Sequence, residues 1–251
     1  MQRKIMVVTA AYGYDSVRAA GGQIAMLPVI AAAGADGVEI RREMFTPAEQ
    51  QALPQLASAI ASVGLQACYS APEPLFMSDG PLNPQLPALL QEAKTLNALW
   101  LKVSLGHFTN ALQFTTLRDW LDSSGMKLVV ENDQTVCGRL PPMQRFNAAC
   151  HTQKLPVQLT FDMGNWLWVG DTPEAAAEQL APSVGYVHVK AAVAHHDSYR
   201  AVPPDEADPR WLQLLNQLPI DVPRGIEFPL EGADLTQVTR HYVELLRKDS
   251  I

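Results

Sequence analysis

The sequence predicts a (β/α)8 TIM barrel, and three observations carry that expectation. Eight short β-rich runs recur along the chain, most of them followed by a helical stretch rich in Ala, Leu and Gln. The length of 251 residues suits eight such units, since barrels of this kind take about 250 residues. The first run leads into Thr9-Ala10-Ala11-Tyr12-Gly13, without the GxGxxG fingerprint that an open doubly wound sheet usually carries there. No Walker sequence occurs, and no linker, charge block or composition shift divides the chain, so 1–251 are expected to form one domain.

The strands read in order as 4–9, 36–41, 64–70, 99–105, 126–132, 156–162, 185–191 and 224–228. The first, KIMVVT, imitates the start of a secretory signal. Its apolar stretch meets Tyr12-Gly13-Tyr14-Asp15 before a full signal core is complete, so a buried strand is the reading. Helices are expected at 19–33, 48–62, 84–97, 109–123, 142–153, 172–180, 208–217 and 233–247. Thr46-Pro47, Asn83-Pro84 and Asp171-Thr172-Pro173 supply start signals, because proline suits the first helical turn. Gly34, Gly64 and Gly125 fall where helices should stop.

Composition narrows the function. With 47% apolar and 18% charged residues the chain reads as an ordinary globular protein, and no apolar run approaches the roughly 20 residues that cross a bilayer. A formal charge of −7 opposes attraction to nucleic-acid phosphates and anionic lipid, so neither is an expected partner. The three cysteines, Cys68, Cys137 and Cys150, cannot all pair and form no CxxC. Reduced thiols, and hence a cytoplasmic location, are expected.

The polar residues on the strands carry the chemistry. Strand residues alternate between the barrel axis and the surrounding helices. The seventh run sets Tyr186, His188 and Lys190 opposite Val187, Val189 and Ala191, and the sixth sets Gln158, Thr160 and Asp162 opposite Val157, Leu159 and Phe161. Glu227 opposes Ile226 and Phe228, Glu39 and Arg41 oppose Val38 and Ile40, and Lys102 and Ser104 oppose Leu101 and Val103. The fifth run is ambiguous, with Leu128 and Val130 against Val129 and Glu131. Helices cover the apolar face, so the polar face points inward, near the strand C-termini where such barrels do chemistry. Glu39, Glu131, Asp162 and Glu227 then face Arg41, Lys102 and Lys190. Glu131, Asp162, His188 and Glu227 come from four neighbouring strands and would repel one another without a cation. One divalent metal resolves that repulsion; oxygen-rich ligation with one imidazole suits Mn, Mg or Co, and Zn also fits. The competing reading is an internal salt-bridge network.

At these residues the sequence resembles the sugar phosphate isomerase/epimerase family, with its xylose-isomerase-like TIM barrel. Ala33-Gly34-Ala35-Asp36-Gly37-Val38-Glu39-Ile40 resembles the family's second-strand "aGfdgVEl", and Val130-Glu131-Asn132 its fifth-strand "EN". Phe161-Asp162-Met163-Gly164-Asn165, Tyr186-Val187-His188-Val189-Lys190 and Gly225-Ile226-Glu227 resemble its "fDxgH/N", "hvHlKD" and terminal "iE". Five motifs in order span nearly the whole chain. The resemblance implies that Glu131, Asp162, His188 and Glu227 bind the metal and that Glu131 and Glu227 act as the acid/base pair. It implies a ketose 3-epimerase or inosose isomerase-like activity on a small carbohydrate, polyol or sugar phosphate, and is compatible with a homodimer. A lyase of the 3-dehydroshikimate dehydratase type is the alternative on the same scaffold. The chain departs from the pattern at Asn165, where His is common, and at Ala191, where Asp often follows the lysine.

Other polar residues have two readings each. Glu39 and Lys102 either bind substrate or pair with neighbouring charges, and Lys190 either steadies a substrate oxygen or balances charge. Asn165 stands where the family's His would touch substrate. His107, in Gly106-His107-Phe108, is a substrate contact or an ordinary loop histidine. Arg200 is a candidate anion clamp near the surface pair His195 and His196, and Trp166 and Trp168 either stack on substrate or pack.

Overall fold

The structure is a computed structural model and describes residues 3–248. Eight parallel strands close into a barrel. They are β1 (Ile5–Val8), β2 (Gly37–Arg41), β3 (Gln66–Phe76), β4 (Ala98–Gly106), β5 (Leu128–Glu131), β6 (Val157–Asp162), β7 (Val184–Val189) and, last in the chain, β10 (Arg224–Ile226). The order around the barrel is β1-β10-β7-β6-β5-β4-β3-β2, and β1 pairs with both β2 and β10 to complete the ring. The outward faces of the strands, with Ile5, Val38, Val130, Phe161 and Val187 among them, join the helices in one large core. A smaller cluster of Met6, Cys68, Trp100, Val129 and Tyr186 fills the barrel interior. Val129 therefore settles the ambiguous fifth strand: it faces inward with Glu131, while Leu128 and Val130 face the helices.

The expected helix 19–33 is not one element. The chain forms α1 (Tyr14–Ala20), a 3-10 turn at Gln23–Met26 and α2 (Leu27–Ala32). Gly21 and Gly22, at φ +107° and +96°, lie outside the helical region and break the run. The expected 48–62 is likewise divided into α3 (Pro47–Gln51) and α4 (Leu53–Ser62). Thr46 starts α3 through a capping box: its hydroxyl accepts from Glu49 N–H at 3.3 Å, and the Glu49 carboxylate accepts from Thr46 N–H at 2.7 Å. The later helices are α5 (Leu86–Thr95), α6 (Phe114–Ser124), α7 (Leu140–Gln153), α8 (Asn165–Trp168), α9 (Pro173–Leu180), α10 (Arg210–Leu214) and α11 (Leu235–Arg247). Asp171 does not cap the helix that follows it; its carboxylate accepts from Leu140 N–H at 2.8 Å, at the start of α7.

The expected seventh strand, 185–191, is cut short. β7 ends at Val189, and Ala191 opens an antiparallel hairpin of β8 (Ala191–His195) and β9 (Ser198–Val202) outside the barrel. Trp168 holds this hairpin down, its ring centroid 5.6 Å from that of Tyr199. Trp166 is fully buried against Phe161 and packs as core. Among the described residues, no helix is long and apolar enough to cross a membrane.

Candidate metal centre

The strand register brings the charged residues together. Asp162 pairs with His188 across β6 and β7, and His188 with Gly225 across β7 and β10. Glu131 closes β5, and Glu227 follows β10 with its N–H bonded to the Val189 carbonyl at 3.1 Å. One ligand atom from each of Glu131, Asp162, His188 and Glu227 lies within 4.8 Å of the others. His188 Nδ1 faces Glu131 Oε1 at 2.7 Å and Glu227 Oε2 at 3.0 Å, with Asp162 Oδ2 at 3.9 Å.

These residues fit a divalent cation. Glu131 Oε1, Asp162 Oδ2 and His188 Nδ1 are all buried, and none takes part in an aligned hydrogen bond. Two carboxylate oxygens and an imidazole nitrogen crowded together in a buried site, with the Lys190 ammonium beside Asp162 Oδ2, are costly unless a further cation shares them. The donor set of three carboxylates and one imidazole is what a hard or borderline divalent ion takes.

Neighbouring bonds aim the ligands. Asp162 Oδ1 accepts from the N–H groups of Gly164 and Asn165, both at 3.0 Å, which leaves Oδ2 turned to the centre. Asn132 clamps the strand beneath it: its amide donates to the Asp162 carbonyl at 3.0 Å and accepts from Asp162 N–H at 2.8 Å. Asn165 in turn donates to the Asn132 carbonyl at 2.9 Å and accepts from Gln134 at 3.0 Å. Its side chain thus braces the ligand loop on both sides. Glu39 lies fully buried behind His188, with Oε2 at 2.8 Å from Nε2.

Three cations hold the carboxylates. Lys102 Nζ reaches Glu131 Oε2 at 2.5 Å, and Arg41 Nη1 reaches Glu227 Oε1 at 2.8 Å. Lys190 Nζ stands 2.7 Å from Asp162 Oδ2 and 3.0 Å from Glu227 Oε2. The internal ion-pair network is therefore present, and it coexists with the convergence of Glu131 Oε1, Asp162 Oδ2 and His188 Nδ1. Burial lifts the Asp162 carboxyl to about 7; Lys190 opposes that, while Glu227 and Glu131 add to it. Burial would raise Glu131 too, yet Lys102 and His188 bring it down to about 2. Burial works against a charged His188, but Glu227 and Glu39 outweigh it and hold its pKa well above the ordinary value.

Exposure separates the four ligands into two kinds. The Glu131 and Glu227 side chains keep 12% and 14% of their surface open, against 1% for Asp162 and none for His188. Only the two glutamates can therefore meet a substrate arriving from solvent.

Of the other expected substrate contacts, Lys102 and Lys190 lie in the centre, whereas Glu39 and Asn165 are engaged within the protein. His107 is exposed on the loop after β4, and its ring takes no part in the network. Arg200 lies on the hairpin and lines a hollow with Glu206 and Glu231; none of the four ligands lines it, although it shares Ala201, Pro229 and Glu231 with the hollow that reaches Glu227. Sequence reasoning treated Arg41 only as a counter-charge and gave Asn132 no role. The signal for Arg41 was its position two residues from Glu39 on the same strand face.

Several solved structures share this architecture. A xylose isomerase domain containing protein from Salmonella typhimurium LT2 superposes with a TM-score of 0.72 at 12% identity, over 99% of this chain and 98% of its own. D-psicose 3-epimerase, in the presence of D-fructose, gives 0.67 at 12% identity over 97% and 98%. The probable 3-DHS dehydratase AsbF of Bacillus anthracis gives 0.64 at 12% identity over 98% and 99%. No protein-family model and no curated protein matches the chain. The fold is that of the xylose isomerase-like TIM barrels, and within it Glu131, Asp162, His188 and Glu227 form a centre able to hold a metal.

Proposed function

We propose that the protein is a divalent-metal-dependent isomerase or epimerase of a ketose, aldose or polyol derivative. The observation that carries this is the exposure split within one converging ligand set: two buried ligands beneath two accessible glutamates. When bound, a divalent ion (Mn, Mg or Co by ligand chemistry, with Zn also fitting) would polarise a substrate carbonyl and favour negative charge on its oxygen. Glu131 and Glu227 stand on β5 and after β10, with β6 and β7 between them around the ring. One carboxylate takes the proton alpha to the carbonyl and the other returns a proton to the resulting enediolate from its own side. Lys102 and Arg41 hold the two carboxylates in place; the one that returns the proton must first take it up from solvent, while the other stays anionic as the base. Lys190, whose ammonium sits between Asp162 and Glu227, is placed to steady a substrate oxygen.

A lyase reading is favoured by the dehydratase among the similar structures and by Lys190, whose ammonium could protonate a departing hydroxide. Incubating the metal-loaded protein in D2O with a panel of ketoses, aldoses and keto-polyols separates the two. Carbon-bound deuterium in an isomeric product supports the isomerase, and an enone formed with loss of water supports the lyase. Glu227→Gln should suppress alpha-proton exchange; undiminished exchange in that variant would remove its acid/base role.

A further inference from the structure

A hollow of about 640 Å³ opens at the N-terminal end of the barrel, opposite the metal centre. Its size falls within the roughly 300–1,000 Å³ of small-ligand sites. Six consecutive members of the ring, β1, β10, β7, β6, β5 and β4, line it with their first residues or with those just before them. None of the four metal ligands takes part. Trp100 and Val129 line the hollow, Tyr186 packs on Trp100, and His188 on Tyr186, each at 4.9 Å between ring centroids. The interior cluster therefore separates the hollow from the centre.

Barrels of this architecture fill their interior with layers of bulky branched side chains. This chain departs from that at the mouth. The alternation that turns Met6, Val129 and Asp162 inward also turns Lys4, Lys127 and Gln158 inward, and all three line the hollow. A Cβ on Gly185 would come within 2.6 Å of the Gln158 amide, so the absent side chain leaves that amide its place. Leu99, Val222 and Pro223, each partly exposed, add apolar walls to the floor of Trp100 and Val129.

Two ammonium groups face this hollow with no carboxylate bonded to them. Lys4 Nζ donates to the neutral Gln66 Oε1 at 2.6 Å, and the Lys127 side chain makes no hydrogen bond or ion pair among the described residues. The two stand before β1 and β5, half a turn apart around the ring. One carboxylate, that of the exposed Asp221, shares the rim. In a chain carrying −7 overall, the mouth thus has a local positive excess beside an aromatic floor.

We propose that the N-terminal mouth of the barrel is a second ligand site, for a planar aromatic carboxylate. The ring of the ligand lies against Trp100 and the apolar walls, and its carboxylate takes charge-assisted hydrogen bonds from Lys4 and Lys127. The site does not depend on the reaction at the other end. Naphthalene-2-carboxylate and its neutral counterpart 2-naphthylmethanol serve as probes of the Mg2+-loaded protein, titrated by ligand-observed saturation-transfer NMR. The carboxylate should bind roughly tenfold more tightly than the alcohol. Lys127 is exposed, so Lys127→Glu keeps the fold, and it should weaken the carboxylate by roughly fivefold. Leu99→Trp, which fills the hollow, should weaken it by roughly tenfold. Asp162→Ala, which disables the metal centre, should leave its affinity within about twofold, because that centre lies outside the hollow. No saturation of the naphthalene protons, equal binding of the alcohol, undiminished binding in Lys127→Glu or Leu99→Trp, or loss of binding in Asp162→Ala would overturn the assignment.

Discussion

Glu39 Oε2 lies 2.8 Å from His188 Nε2, and this contact fixes which way the imidazole works. A proton on Nε2 donated to Glu39 leaves the Nδ1 lone pair turned toward Glu131 and Glu227. Carboxylates behind a ligating histidine set its tautomer and raise its basicity, and losing one typically costs tenfold to a hundredfold in metal affinity. Glu39→Gln keeps the volume and removes the charge, so Mn2+ binding should weaken by that amount with the far-UV spectrum unchanged. A Mn2+ titration followed by electron paramagnetic resonance checks it, and wild-type affinity would show that Glu39 does not act through His188.

The ligands themselves should fail more completely. Asp162→Ala or His188→Ala removes a fully buried donor, and elemental analysis of either variant should show well below one metal per chain. The metal-free protein should nevertheless stay folded. Lys102, Arg41 and Lys190 already pair with Glu131, Glu227 and Asp162, so no carboxylate of the set is left without a counter-charge. Unchanged metal content in both variants would contradict the ligand assignment.

Metal uptake should release protons. In the metal-free protein His188 titrates well above its ordinary value and Asp162 near 7, so both hold protons at pH 6. Metal ligation needs Nδ1 and the Asp162 carboxylate bare, and each proton displaced raises affinity by about tenfold per pH unit. The sign for stability runs the other way. Both folded-state values are raised, so the contribution of these protons to metal-free stability is complete below the unfolded values and fades as pH rises through the folded ones. Affinity for Mn2+ should climb by one to two orders of magnitude from pH 6 to 7; calorimetry in buffers of different ionisation enthalpy counts the protons. A flat profile would place the metal elsewhere.

Much of this centre was legible because its residues are costly where they sit. Carboxylates at alternate strand positions enter the barrel, and Glu131, Asp162 and Glu227, gathered with His188 on consecutive strands of the ring, require cations once they are buried there. The roles of individual side chains were less legible. Glu39 and Asn165 stand at plausible substrate positions in the sequence, but only the register shows one behind His188 and the other bonded to Asn132. The hairpin went unread because its strands continue the β-rich run of β7, and its turn, His195-His196-Asp197-Ser198, lacks the Asn-Gly or Gly signal. His196 adopts φ +53° there without being glycine. Gly21-Gly22 was a breaker in plain view, hidden by the apolar pattern running on through Ile24, Leu27 and Ile30.

Gly225 tests whether the barrel interior and the metal centre are mechanically joined. A Cβ built on it collides with the Tyr186 hydroxyl and lies 3.2 Å from His188 Cδ2. The Tyr186 ring has little room to retreat: its centroid is 4.9 Å from those of both Trp100 and His188. Forcing a methyl into a packed interior costs about 1–3 kcal/mol, which in a domain of this size lowers Tm by roughly 2–4 °C per kcal/mol. Gly225→Ala should therefore melt measurably earlier and bind Mn2+ more weakly, because the strain reaches His188 through the tyrosine. Tyr186→Phe removes the atom that meets the methyl most closely. The double variant should then be more stable than the sum of the single losses predicts, by about 0.5 kcal/mol or more. Thermal denaturation of the four proteins measures the coupling; strict additivity would mean that the new methyl is accommodated without moving Tyr186, and that the centre is insulated from the packing beneath it.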